Sequence, residues 1–156
     1  MWLKKLIRNT PKNIGQIKIN GLSTDSRSLK KGNIFFAIRG SNLNGELFIN
    51  DAIKKGAALI VCSQKHKIKV LKTPIIKVNN VKKVLTNACK KFYTNKPKNI
   101  IAVTGTNGKS SVAEFFRQIL LLNKKKVASI GTLGIKSNNK IKKVNPTSLD
   151  IISLHK

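Results

Sequence analysis

One stretch of this chain combines the residue types that hold a polyphosphate. Thr104-Gly105-Thr106-Asn107-Gly108-Lys109-Ser110 follows an apolar, β-branched run at 100–103 and leads straight into a helix-forming segment. Gly105 and Gly108 let the backbone turn and aim successive N–H groups at an anion. A helix beginning at Lys109 points the positive end of its dipole at the same place. Lys109 supplies a mobile positive charge for the β- and γ-phosphates and is the candidate catalytic residue. The Ser110 hydroxyl is the kind of ligand that holds Mg²⁺ after a P-loop lysine, and Ser111 adds a second hydroxyl. Val103 stands where the first glycine of G-x-x-x-x-G-K-[ST] belongs, so the loop must turn differently on its N-terminal side. An ordinary glycine turn before a helix is disfavoured because strand, turn, lysine and helix come in the required order.

The surrounding pattern predicts the elements that position this loop. Residues 32–39 read as a strand entered through a turn at Lys31-Gly32-Asn33, and Gly40 to Gly45 as a polar loop. Phe48 with Ala52, and Ile49 with Ile53, repeat at i, i+4, which predicts a helix over 47–55 capped by Gly56. Residues 58–62 read as a buried strand and 74–78 as another strand. Val81, Val84, Leu85, Ala88, Cys89 and Phe92 form an amphipathic helical stripe. The polar, proline-containing Asn95-Lys96-Pro97-Lys98-Asn99 marks a boundary between domains at 1–96 and 97–156. Beyond it the pattern predicts a strand at 100–103, the loop, a helix over 109–122 and a strand at 127–131, the opening of a doubly wound nucleotide fold. Residues 137–140 read as a turn. Thr147 and Asp150 have capping-box spacing, so a helix is expected to begin there. The fold class is α/β. Two strands cannot close a core in the second domain, so the sequence is expected to be part of a longer protein.

Composition narrows the class. The 156 residues are 40% hydrophobic, enough for a packed core, and carry a formal net charge of +27. Such a charge first suggests nucleic acid or an anionic membrane. Yet 28 of the 32 basic residues are lysine, spread along the chain with no run longer than Lys124-Lys125-Lys126. Lys, Asn and Ile share A/T-rich codons, and a biased genome accounts for the mixture. Arginine, the residue of bidentate phosphate and base contacts, is scarce. Cys62 and Cys89 lie on apolar runs and read as reduced core residues. No apolar run approaches the roughly 20 residues that span a bilayer. A cytoplasmic protein without membrane insertion is expected.

Two further motifs carry weight only together with the loop. Ser23-Thr24-Asp25-Ser26-Arg27 alone reads as a turn or cap, and Ser41 and Asn42 alone as loop residues. With Gly32-Asn33-Ile34-Phe35-Phe36-Ala37-Ile38-Arg39-Gly40, the phosphate loop and Ser129-Ile130-Gly131-Thr132-Leu133-Gly134, the chain resembles the Mur ligases of peptidoglycan synthesis from about residue 20 to its end. Its Asp-Ser-Arg domain resembles that of the ligases adding the third residue or the terminal dipeptide, and the Gly-Thr-Asn-Gly-Lys loop favours the tripeptide-forming branch. The absent glycine at Val103 is a mark of this family.

The resemblance implies a small N-terminal α/β domain for UDP-MurNAc, followed by the start of a Rossmann-like central ATPase domain. Thr24, Ser26, Ser41, Asn42 and Leu43 match positions that contact the UDP part. Gly105, Thr106, Asn107, Gly108, Lys109, Ser110 and Ser111 match the ATP loop, with Ser110 toward Mg²⁺. Thr147 and Ser148 match positions that touch the muramoyl-dipeptide, although Pro146 and Leu149 depart from the family pattern. The implied reaction is ATP-dependent amide formation. A D-Glu carboxylate of UDP-MurNAc-L-Ala-D-Glu forms an acyl phosphate, and an amine of a diamino acid, diaminopimelate or lysine, displaces the phosphate. A monomer is expected, with no nucleic-acid partner and no activity from these residues alone. The competing readings are a basic nucleotide-dependent nucleic-acid module and a truncated, non-catalytic UDP-sugar-binding protein.

Overall fold

The computed structural model describes residues 1–40, 43–65, 72–132, 134–137, 140–142 and 150–156. They divide into two compact units, Met1–Asn95 with His155–Lys156, and Lys96–Leu154.

The first unit is built on a wholly parallel sheet. β1 (Gly21–Ser23), β2 (Asn33–Phe36), β3 (Leu59–Ser63) and β4 (Ile75–Val78) lie side by side in chain order. Leu22 pairs with Ile34, Phe35 with Ile60, and Val61 with Ile76. A parallel sheet is covered on both faces, so its inner strands are apolar at successive positions. Ile34, Phe35, Phe36, Leu59, Ile60, Val61 and Cys62 are accordingly all 0% exposed. Phe35, Ile60 and Cys62 pack with Ile49 and Ala52 of α2 (Ile49–Lys54) and with Leu29. Ile34, Phe36, Leu59 and Val61 alternate onto the opposite face. α3 (Val81–Phe92) packs on β3 and on α1 (Leu3–Leu6), burying Val81, Leu85, Ala88 and Cys89.

The α/β class and the α3 stripe agree with the sequence reading, and both cysteines are buried and outside any disulfide. The helix expected over 47–55 begins instead as a 3-10 turn at Gly45–Phe48 and becomes α-helical at Ile49. Gly56 ends it at φ +81°, a left-handed conformation in which a side chain is strained. α1 and β1 carry no periodic signal of their own. β1 has three residues and exists through its ladder to β2.

In the second unit α4 spans Lys109–Leu122, as the pattern predicts. β5 (Ala128–Gly131), β6 (Gly134–Ser137) and β7 (Lys140–Lys142) form an antiparallel meander. Two expectations are corrected. Residues 100–103 are not a strand, because an apolar run needs a neighbouring strand to complete a ladder and none among the described residues pairs with it. Ile100 and Ile101 are exposed. The doubly wound opening is therefore not formed among the described residues. The last helix, α5, is Ile151–His155. Asp150 accepts the N–H groups of Ile152 and Ser153 at 2.9 and 3.1 Å, and Thr147, where the helix is expected to begin, lies outside the described residues. Residues 138–139, within the expected turn, lie outside the described residues.

Ile60→Ala is expected to destabilise the first unit by about 2–5 kcal/mol through transfer and cavity costs. Ile119→Ala on α4, where the side chain is 56% exposed, should shift stability by no more than about 0.5 kcal/mol. Urea unfolding of both variants checks the contrast.

Candidate functional site

The phosphate loop takes the shape its glycines allow. Gly105 has φ +151° and Gly108 φ +76°. Gly108 occupies the N-cap of α4, and its carbonyl accepts the Val112 N–H at 2.9 Å. The first-turn N–H groups of a helix have no intrahelical acceptor, and here they belong to exposed residues. A Cβ placed on Gly108 would meet nothing within 4 Å, so the space before the helix is open. The Lys109 ammonium folds back over the loop, donating to the Gly105 carbonyl and, at 2.9 Å, to the Thr106 carbonyl. An ammonium has three donors, so one remains for an incoming oxygen.

Two contacts tie α4 to the meander. The Ser110 and Thr132 hydroxyls lie 3.0 Å apart. Glu114 accepts from Arg117 at 2.6 and 3.2 Å and from Gln118 at 3.2 Å, and pairs with Lys136 of β6 at 3.3 Å. The Arg117 hydrogen bond, opposed by desolvation and aided by Gln118 and Lys136, lowers the Glu114 carboxyl to about 2. Thr132 lies within the Ser129–Gly134 motif, but its partnership with Ser110 was not foreseen. The two residues are 22 positions apart, and only the β5–β6 hairpin brings them together.

Of the other candidate residues, Thr24, Ser26 and Leu43 follow strands of the parallel sheet at its carboxyl edge. Parallel strands all leave at one edge, where open α/β sheets place their ligands. The segment after β1 is a self-bonded turn. Ser23 Oγ donates to the Asp25 carbonyl at 2.8 Å, and Asp25 Oδ1 accepts the Arg27 N–H at 2.9 Å. The Arg27 guanidinium meets the Asp25 carboxylate from Nε at 3.1 Å and Nη2 at 2.9 Å. That side-chain hydrogen bond is the main cause holding the Asp25 carboxyl below its usual range. Lys55 Nζ ties the turn to α2 through the Arg27 carbonyl at 3.0 Å. Thr24 is half-buried and Ser26 is buried.

The segment after β2 leaves from the same edge, with Leu43 exposed near its tip. Ser41, Asn42, Thr147 and Ser148 lie outside the described residues. The Cys62 thiol is pushed up, chiefly by burial, which suits a core residue and not a nucleophile.

Among the described residues, no three His, Cys, Asp or Glu side chains cluster as metal ligands. The Ser110 and Thr132 hydroxyls are two oxygen ligands beside the loop. That set suits Mg²⁺, which takes few protein ligands and relies on phosphates and water. No helix among the described residues is long and apolar enough to cross a membrane.

Comparison with known proteins places this geometry. Residues 18–96 match the Mur ligase family, catalytic domain, and residues 103–156 match the Mur ligase middle domain. A UDP-N-acetylmuramoyl-L-alanyl-D-glutamate--2,6-diaminopimelate ligase of Rickettsia prowazekii (strain Madrid E) is 46% identical over 143 residues, which is 89% of this chain and 29% of that protein. The ligase of the same name from Brucella melitensis biotype 1 is 36% identical over 146 residues, 94% of this chain and 30% of that protein. A solved structure of a ligase with this name has a TM-score of 0.78 at 22% identity, covering 99% of this chain and 32% of the other. MurF ligase from Thermotoga maritima in complex with ADP has a TM-score of 0.55 at 24% identity, over 70% of this chain and 25% of the other. These structural likenesses show a shared fold. The chain spans less than a third of the length of the relatives it matches.

The lowered Glu114 carboxyl has a pH consequence. Its ordinary value is 4.5 and its folded value about 2, so its stabilisation is complete above the ordinary value and is lost as pH falls through the folded one. The stability difference between the wild type and Glu114→Gln should therefore hold steady from neutral pH down to about 5 and close near pH 2. Unfolding by denaturant across that range, followed by helix circular dichroism, measures it.

Proposed function

The chain belongs to the Mur ligase family, and from that premise we propose that it carries the nucleotide loop and the UDP-sugar edge of an ATP-dependent amide ligase of peptidoglycan precursor synthesis. The observation that carries this reading is the loop at Gly105–Gly108. Two left-handed glycines lead into the open N-terminus of a 14-residue helix, with Lys109 and Ser110 as its first residues. The names of the relatives supply the substrates: UDP-N-acetylmuramoyl-L-alanyl-D-glutamate and 2,6-diaminopimelate.

In this proposal residues 1–96 bind the UDP-sugar peptide and residues 97–156 begin the ATP domain. Thr24, Ser26, Ser41, Asn42 and Leu43 meet the uridine-diphosphate part, and Thr147 and Ser148 the dipeptide. Gly105, Thr106, Asn107 and Gly108 present backbone N–H groups to the phosphates, and Ser111 adds a hydroxyl. Lys109 exchanges its loop carbonyls for phosphate oxygens and holds positive charge where two anions must approach. Ser110, whose hydroxyl rests 3.0 Å from that of Thr132, would hold Mg²⁺. When bound, that ion neutralises phosphate charge. The site belongs to a cytoplasmic monomer with no nucleic-acid partner.

Calorimetric titration of the 156-residue chain tests the assignment. The wild type should bind both a non-hydrolysable ATP analogue and UDP-MurNAc-L-Ala-D-Glu. Lys109→Ala should weaken the ATP analogue by about tenfold or more, as expected for losing a charged hydrogen-bond donor, and leave the UDP ligand unchanged. Failure of the wild type to bind either ligand would overturn the reading. So would tight, steeply salt-dependent binding of single-stranded nucleic acid in their place.

A further inference from the structure

The sequence marks the loop between Gly40 and Gly45, and the structure shows what closes it. The Gly40 N–H donates to the Leu43 carbonyl at 2.8 Å, and the Gly45 N–H donates to the Ile38 carbonyl at 2.9 Å. Arg39 and Asn44 pair across the stems as an antiparallel bridge. Asn44 Oδ1 accepts the Glu46 N–H at 3.1 Å and caps the 3-10 turn. A Cβ on Gly45 would lie 2.6 Å from the Ile38 carbonyl oxygen, so the stems meet with no room for a side chain.

Directly beside these stems stands a buried carboxylate, that of Glu46, whose side chain is 1% exposed. Its Oε2 accepts from Arg39 Nε at 3.0 Å and from Arg39 Nη2 at 2.8 Å. Its Oε1 accepts the Ser63 N–H, at the end of β3, at 3.3 Å. One carboxylate thus joins the strand side of the loop, the helical side and the carboxyl edge of the neighbouring strand. A buried carboxylate carries a desolvation cost that an apolar residue of similar size avoids. What it gains here is geometry: two-pronged contact with Arg39 fixes direction as well as distance.

We propose that Glu46 is a positioning residue that locks both stems of the 40–45 loop to the end of β3 and so presets the edge that receives the UDP-sugar ligand. The ligand half of this statement rests on the function proposed above, whereas the loop half does not. Glu46→Gln keeps the volume but leaves one oxygen where two are used. Arg39→Met removes the guanidinium from a side chain that is 57% exposed, so it decides the question if the first variant fails to fold.

Hydrogen exchange of the full 156-residue chain reads the lock without any ligand. The Gly40 and Gly45 amides should exchange about tenfold faster or more in either variant, as for loss of a charge-assisted hydrogen bond, while amides inside β2 and β3 keep their protection. Affinity for UDP-MurNAc-L-Ala-D-Glu should fall by a similar factor, with ATP-analogue affinity unchanged. Unchanged exchange at Gly40 and Gly45, or acceleration shared equally with β2 and β3, would overturn the lock. A wild-type chain that ignores the UDP ligand would overturn the proposed function, and the exchange rates would still decide the role of Glu46.

Discussion

Parallel pairing of β1, β2, β3 and β4 sends every strand out of the sheet in the same direction. The segments that follow the strands therefore gather at one edge, whatever their sequence. The Asp25–Arg27 turn, the stems of the 40–45 loop and the Glu46–Ser63 contact all belong to that edge. The price of this arrangement is burial on both faces of β2 and β3, which is why residues 34–36 and 59–62 are apolar without alternation. Hydrophobic covering by α2 and α3 holds the ladders, and the ladders hold the edge.

The second unit works from a different constraint. Its site is a helix terminus, and a helix satisfies its backbone within itself. α4 is formed without burying any of its residues among those described. Its position relative to the meander depends on polar contacts, Glu114 with Lys136 and Ser110 with Thr132. Lys109 rests on its own loop carbonyls, which keeps the ammonium over the loop.

Local elements were legible in the sequence where one physical signal dominated. α3 shows a full apolar stripe, and α4 follows a glycine cap without interruption. Both run over the residues their periodicity indicates. The glycine turn before α4 was legible for the same reason, since its glycines and the helix start are adjacent in the chain. Short or partner-dependent elements were not. β1 exists only beside β2. The apolar run at 100–103 has strand composition but no ladder among the described residues.

By itself, then, the sequence determined the α/β class, the glycine loop that carries Lys109 and Ser110 into α4, and the family resemblance carried by motifs at residues 24–27, 32–45, 104–110 and 129–134. These depend on contacts between near neighbours or on residue types at set spacings. Only the tertiary structure decided that Ser110 faces Thr132, that Glu114 reaches Lys136, and that Glu46 joins Arg39 to Ser63. Each of these contacts joins an element to another that is distant in the chain or bent back beside it. Its existence follows from strand register and helix packing, which no local pattern of residues encodes.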